Sequence, residues 1–364
     1  MKVGILELHN YHYDVIDSLC KIFEENLEVL YINKDILKII PNKEKIKEIK
    51  VLNTISFKSI FKIIKEINKS EIDYIILGTN QNYLIFYLII FLFCNKRIIM
   101  TMHNINVYFK CKKSLKGIIK FLIRKIMLIR CYGINVLGET LKKELEKKNL
   151  NKKILNFPVR IYDPYNIKKD NYMEKSRLVI SVPGSFELKR RDYETLYKAC
   201  ILLNENKNHI TLNFLGKIDK KSEKENKLLN KFKKVADVYY SENFIDEQIF
   251  KEKILESDLL INPSVYETFY DGIKEYYGKT KQSGGIYTQI EFAKVGITPS
   301  YIEVEPQLES STLMYKTEED LYKVISKFNN EKEFRKFLVN EARKNSEKYT
   351  LDNIKRNLLK ELEE

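Results

Sequence analysis

Cysteine is scarce in this chain and nowhere paired: Cys20, Cys94, Cys111, Cys131 and Cys200 are odd in number, and none stands in a CxxC spacing. That argues against both a disulfide framework and a zinc site, and it fits a reducing cytosol. Long apolar runs are missing too. The longest, residues 83–94, has twelve residues, where a membrane-crossing helix needs about 20; it reads instead as a buried helix. The opening MKVGILELHN has the pattern of a buried strand and lacks the basic-then-apolar order of a secretory signal. No low-complexity tract, short repeat or RNP-like run of aromatic and basic residues is present, so no nucleic-acid partner is expected.

With 364 residues, 44% hydrophobic and 31% charged, the chain is long enough for two cores, since single domains usually hold roughly 100 to 200 residues. Short β-branched runs at 3–8, 27–32, 72–77, 97–102 and 133–137 alternate with helical patterns such as 13–25 and 59–69. That alternation predicts an α/β fold with a parallel sheet covered on both faces. The plan restarts with strands at 178–182, 210–215 and 258–262 and helices at 192–203 and from Ser222. The polar segment 162–176 reads as a linker between domains at 1–161 and 177–348, followed by a terminal helix at 349–364. Doubly wound sheets place ligands at the carboxyl ends of their strands, and two opposed edges make a cleft.

The net charge of +14 favours anionic partners, although lysine is abundant throughout and a general compositional bias explains the excess equally well. Between Phe109 and Arg130 there are eight basic residues and no acidic ones. Lys112, Lys116, Lys120 and Arg124 recur every fourth position as one helical stripe, with Leu115, Ile119, Leu122, Ile126 and Ile129 on the other side. A basic amphipathic helix over 109–130 suits an anionic membrane surface, peripheral on the cytoplasmic face. Of equal standing is a domain helix whose apolar face packs on its own sheet.

The second half carries short motifs in a fixed order. Val182-Pro183-Gly184-Ser185 ends a strand, Lys189-Arg190-Arg191 follows, and a helix opens at Asp192; later comes SDLLINPS over 257–264, then Glu291 with Gly296 and Pro299 behind it. In the first half, Met102-His103-Asn104, Val136-Leu137-Gly138-Glu139 and Phe157-Pro158-Val159 join the series. In order and spacing these segments resemble the GT-B type glycosyltransferases, in particular the retaining group 1, or family 4, enzymes. The resemblance implies two Rossmann-like domains facing across a cleft, with the C-terminal helix crossing back to the N-terminal domain. It implies an acceptor-binding first domain and a second domain that binds a nucleotide sugar, used as substrate with no cofactor and no metal. The acceptor is then a glycan or a lipid-linked sugar.

A diphosphate donor must have about two charges neutralised, and backbone N–H groups, a helix N-terminus and cationic side chains do this without a metal. Gly184 and Ser185 with Lys189, Arg190 and Arg191 fit that need, against the plainer reading of a tight turn before a solvated helix start. Ser283, Gly284 and Gly285, with Lys279 and Lys281 beside them, form a second glycine turn, and Glu291 on the following helix suits ribose hydroxyls. His103 at a strand end is a candidate for the transferred sugar, and His9 and His12 for the acceptor side. Departures from the family pattern also stand out. Ser283 occupies the place of the first of the family's paired glutamates, Ser185 that of a donor-loop arginine, and the stretch 266–281 reads as an insertion. Glu267 and Glu275 within it are candidates to replace the lost carboxylate. If nothing replaces it, the chain is a catalytically inactive nucleotide-sugar-binding partner of another transferase; a GT-B epimerase is a further alternative.

Overall fold

Strand β1 (Val3–Glu7) shows why the sheets form: its five residues, VGILE, are all buried, an apolar run that a parallel sheet covered on both faces can hide. A computed structural model describes residues 1–37, 40, 43–166 and 177–363. Around β1 lie β2 (Leu27–Asn33), β3 (Ile49–Leu52), β4 (Tyr74–Leu77), β5 (Arg97–Met102), β6 (Gly133–Val136) and β7 (Lys153–Asn156), in the order β3-β2-β1-β4-β5-β6-β7. Every neighbouring pair is parallel. Strand addition reverses direction between β1 and β4, the switch point outside which ligands bind in such sheets. The helices are α1 (Tyr13–Ile22), α2 (Lys34–Leu37), α3 (Phe57–Lys69), α4 (Leu84–Phe93), α5 (Leu115–Arg130) and α6 (Glu139–Glu146). In α3 the Ser56 side chain accepts the Ser59 N–H at the N-terminus, and Ile60, Ile63, Ile64 and Ile67 supply the buried stripe.

The second sheet repeats the plan. It contains β8 (Leu178–Pro183), β9 (Ile210–Lys217), β10 (Asp237–Ser241) and β11 (Leu259–Ile261); after the paired strands β12 (Glu267–Tyr270) and β13 (Ile273–Tyr276) come β14 (Val295–Pro299) and β15 (Thr312–Tyr315). The parallel order is β10-β9-β8-β11-β14-β15, with the switch point between β8 and β11. Helices α7 (Tyr193–Glu205), α8 (Glu223–Phe232), α9 (Glu247–Glu256), α10 (Gly284–Glu291), α11 (Glu318–Asn330) and α12 (Lys332–Glu347) accompany it. Asp192 caps α7 by accepting the Thr195 N–H at 3.1 Å.

The chain divides into two units: Met1–Arg160 with Phe269–Glu275 and Leu351–Glu364, and Ile161–Thr268 with Tyr276–Thr350. The last helix, α13 (Leu351–Glu363), therefore returns to the first unit, as the family resemblance implies. There Lys142 donates to Glu361 at 3.1 Å and Lys355 to Glu25 at 3.2 Å. Of the expected linker, the Tyr162 N–H is bonded to the Tyr349 carbonyl at 3.0 Å, and residues 167–176 lie outside the described residues.

The insertion-like stretch is a β-hairpin. Asp271 and Gly272, at φ 53° and 77°, supply the two positive dihedrals of a two-residue turn whose twist matches the strands. Its tip belongs to the first unit, where Ile273 joins the apolar core. Asp271 accepts from Lys120 and from Arg124, each at 2.5 Å. Glu275, fully buried, accepts the backbone N–H groups of Asn106 at 3.2 Å and Val107 at 3.1 Å.

Two expectations about helices are corrected. The apolar segment 83–94 is not a buried helix: α4 buries Leu84, Tyr87, Ile90 and Phe91, while Ile85, Leu92 and Phe93 are exposed, because a helix lying on a sheet hides one side only. The helix expected over 109–130 begins at Leu115, which leaves Lys112 outside it, and its apolar row does not pack on the sheet of its own domain. Arg124 is buried and Lys120 half-buried against Asp271, and the apolar row Leu115, Ile119, Leu122, Ile126 and Ile129 faces out.

Asp271 binds two cations, one of them buried, and although burial opposes its charge, the hydrogen bonds from Lys120 and Arg124 prevail and hold its carboxyl below the ordinary aspartate value. Asp271→Asn should cost about 2 kcal/mol at neutral pH, the scale of a hydrogen bond to a charged group. A lowered folded-state value means that this stability is present above the unfolded-state value of about 4 and is lost as the pH falls. Melting curves of the two proteins should therefore converge between neutral and acid pH, and a gap independent of pH would dismiss the ion pair as its source.

Candidate functional site

In the second unit, β8 ends in a turn that only glycine adopts easily: Gly184 has φ 95°. Its N–H is bonded to the Leu215 carbonyl at 3.0 Å, which draws the end of β9 so close that a Cβ on Gly216 would stand 2.3 Å from the Gly184 backbone and 2.5 Å from the Ser185 nitrogen. The Arg191 guanidinium folds over this turn. Its Nη2 donates to the Pro183 carbonyl at 2.7 Å, and its Nη1 is buried with no partner among the described residues. The basic segment is pinned to the end of β11, since Asp192 N–H donates to the Pro263 carbonyl at 2.7 Å and Val265 N–H to that of Arg190 at 3.1 Å. The strand-end motifs of β8 and β11 are thus one edge.

Helix α10 begins at the same edge. Ser283 stands at its N-cap, yet its side chain makes no capping bond; the hydroxyl donates to Asn262 Oδ1 at 2.8 Å, as does that of Ser264 at 2.9 Å. With both hydroxyls on Oδ1, Asn262 Nδ2 is left buried without a partner. The first-turn amides of Gly284 and Gly285 also have no partner among the described residues, as the head of a helix dictates when its cap is turned elsewhere. Arg191 Nη1 and Asn262 Nδ2 are buried donors without acceptors, and the two helix amides open the same sheet edge. Buried donors are normally satisfied, so such groups at a switch point are suited to an anion.

The three basic residues proposed from the sequence are now distinguishable. Arg190 donates to the Tyr277 hydroxyl at 2.8 Å, Lys189 is exposed, and Arg191 alone covers the glycine turn. Lys281 is half-buried, its N–H bonded to the Tyr276 carbonyl at 3.1 Å. Glu291 is the last residue of α10, half-buried, and shares a helix face with Gly284 and Thr288 through spacings of seven and three. Sequence reading missed Asn262 and Gly216 as site residues. The first was quoted within its motif as a strand end, and the second has no local signal, because its need for hydrogen in place of a side chain arises where β9 meets the β8 turn.

The switch point of the first unit holds the histidines. His9 is buried; its Nε2 accepts the Asn82 N–H at 3.0 Å, so the ring proton sits on Nδ1, 2.9 Å from Glu7 Oε1. Both ring nitrogens are occupied, and His9 fixes the loop after β4. His12, exposed and at φ 64°, lies 4.4 Å ring to ring from His103, whose Nε2 donates to the Gly78 carbonyl at 3.1 Å. The structure therefore joins His12 with His103 and gives His9 to the scaffold. Of the two candidate carboxylates, Glu267 is exposed at the start of β12, whereas Glu275 is spent on backbone amides. Among the described residues no three His, Cys, Asp or Glu side chains are grouped to hold a metal ion, and no helix is long and apolar enough to cross a membrane.

No protein-family model and no curated protein matches this chain. Solved structures do. A glycosyltransferase from Rickettsia africae ESF-5 is 14% identical, with a TM-score of 0.69 over 98% of this chain and 96% of that one. Anabaena HepE in complex with UDP is 11% identical, with a TM-score of 0.68 over 100% of both chains. The UDP-GlcNAc 2-epimerase from Neisseria meningitidis, bound to UDP-GlcNAc, is 9% identical with a TM-score of 0.59, covering 100% of this chain and 99% of that one. Likeness at these identities shows the fold, which is GT-B.

Burial raises the Glu7 carboxyl above its ordinary value, and the His9 contacts only partly offset this. A raised folded-state value means that its contribution to stability is complete below the unfolded-state value of about 4.3 and is lost as the pH rises. Glu7→Gln keeps the acceptor for His9 and removes the titration. The variant should match the native melting temperature at acid pH and exceed it by a margin that widens as the pH rises above the unfolded-state value; parallel curves would show that the Glu7 carboxyl is not raised by its burial.

Proposed function

We propose that the chain is a glycosyltransferase that moves a sugar from a nucleotide-diphosphate donor to a glycan or lipid-linked acceptor in the cytoplasm, with retention and without a metal. One observation carries the reading: the donors without acceptors at the β8–β11 switch point, formed by Arg191 Nη1, Asn262 Nδ2 and the α10 amides. A departing nucleoside diphosphate gains negative charge as the sugar bond breaks, and donors held in place before the reaction stabilise that charge without reorganising. The shared fold of a UDP complex of HepE supports the same ligand class. Glu291 serves the ribose hydroxyls, and His12 with His103 the sugar or acceptor. The departing phosphate takes the acceptor proton, so no separate base is required. Glu267 is the carboxylate still open to solvent; a Glu267→Gln protein with undiminished transfer would remove it from the mechanism.

A second reading has its own observation. Where the family has the first of its paired glutamates, Ser283 gives its hydroxyl to Asn262, and Glu275 does not replace it. An inactive partner of another transferase would bind the sugar nucleotide yet neither transfer nor slowly hydrolyse it.

Thermal melts against UDP-, GDP-, ADP- and CMP-linked sugars test the first reading. The matching class at 100 times its dissociation constant should stabilise the protein by about 2.7 kcal/mol. Arg191→Ala should weaken that ligand about tenfold or more, the loss of one charged hydrogen bond. Four unmoved melting curves would end the proposal.

A further inference from the structure

The first unit carries an apolar ledge that its own core leaves uncovered. On α5, Leu115, Ile118, Ile119, Leu122, Ile126 and Ile129 are all exposed, Leu115 at 77% and Ile129 at 70%. Their spacing sets them on one helix face. The row is extended by α4, which packs on α5, through its exposed Leu92 and Phe93, and then by α3 through Phe57 and Phe61. The Phe61 and Phe93 rings lie 5.7 Å apart. Contiguous exposed apolar surface on this scale marks an interaction site.

We infer that this ledge seats on an anionic phospholipid bilayer. The charge around it selects that occupant. Helices α4 and α5 contain no acidic residue, and the single glutamate of α3, Glu66, is paired with Lys50 at 2.9 Å. Lys58, Lys62, Lys65 and Lys69 on α3 are exposed, as are Lys112, Lys113 and Lys116 at the head of α5. Apolar side chains rimmed by lysines match the acyl–headgroup boundary of an anionic leaflet. A second copy of the chain would bring the same positive rim against the first, and like charges oppose that pairing. Tyr83, at the opposite end of α4 from Leu92 and Phe93, lies 5.4 Å from the His9 ring. The ledge itself does not depend on the donor site of the proposed function.

Sedimentation of the full chain with phosphatidylcholine vesicles, with and without phosphatidylglycerol, tests this. Binding is expected to the anionic vesicles and to weaken at high salt. Ile119→Asp with Leu122→Asp should reduce it more than tenfold, since burial of these side chains in the acyl region drives the binding. Both positions are exposed, so the melting temperature of that variant, and any response to sugar nucleotides, should stay native. Lys58→Glu with Lys62→Glu should weaken binding at low salt only. No binding of native protein to anionic vesicles at low salt overturns the inference. So does a native dimer in sedimentation velocity that the Ile119 and Leu122 substitutions make monomeric. Because the vesicles contain no sugar nucleotide, a failed donor screen leaves this outcome untouched, and the reverse also holds.

Discussion

The donor-side edge depends on where Ser283 places its hydroxyl. Given to the helix, it would cap α10 and satisfy an amide of the first turn; given to Asn262 at 2.8 Å, it leaves those amides open and fixes the side chain that carries the unpartnered Nδ2. One serine thus orients an asparagine and uncovers a helix N-terminus. Each buried donor kept without an acceptor costs about 1–3 kcal/mol, and the well-packed sheet beneath supplies the rigidity to hold them. The close approach of Gly216 to the Gly184 turn adds to that rigidity, because neither β8 nor β9 can shift without the other.

Three buried or half-buried carboxylates serve the scaffold. Glu275 takes two backbone N–H groups, Asp271 takes Lys120 and Arg124, and Glu7 takes the backbone and ring of His9. Glu275 and Asp271, each held by two donors, are fixed supports and poor nucleophiles or bases; Glu7 is held by His9 through Oε1 alone, its Oε2 buried without a partner among the described residues. This narrows the search for catalytic groups: in the proposed reaction, charge stabilisation by Arg191, Asn262 and the α10 amides bears more of the chemistry than any carboxylate in the hairpin.

Much of the fold was legible. The runs that became β1, β2, β4, β5, β6, β8, β9 and β11 are apolar and β-branched, and their alternation with helices implies the parallel sheets. The edge strands β3 (IKVL), β7 (KILN) and β10 (DVYYS) were not read, since charged or polar residues break their pattern; β14 (VGITP) and β15 (TLMY) were not read either, the first because its Gly296 and Pro299 read as a motif instead of a strand. The Asp271-Gly272 pair is a strong hairpin signal, obscured because the stretch around it was read as an insertion. Of the site, glycine turns and basic residues announce themselves locally. Asn262 and Gly216 do not, because a serine 21 residues away frees the amide of the first and a neighbouring strand end dictates the second.

Helix α5 shows the limit of periodicity most clearly. The pattern states which residues share a face, and from Leu115 onward the helix keeps it; it is silent on which face turns inward. That choice is made by Asp271, 147 residues from Arg124 in the chain. A guanidinium drawn out of water needs an anion, and among the described residues the hairpin tip supplies it. Once Arg124 is buried against it, the opposite side of the helix must face out, taking Ile119, Leu122 and Ile129 with it. The exposed apolar row is therefore a consequence of the hairpin's charge, so the stretch in which the chain departs most from the pattern it resembles also shapes the surface where a membrane is proposed to bind.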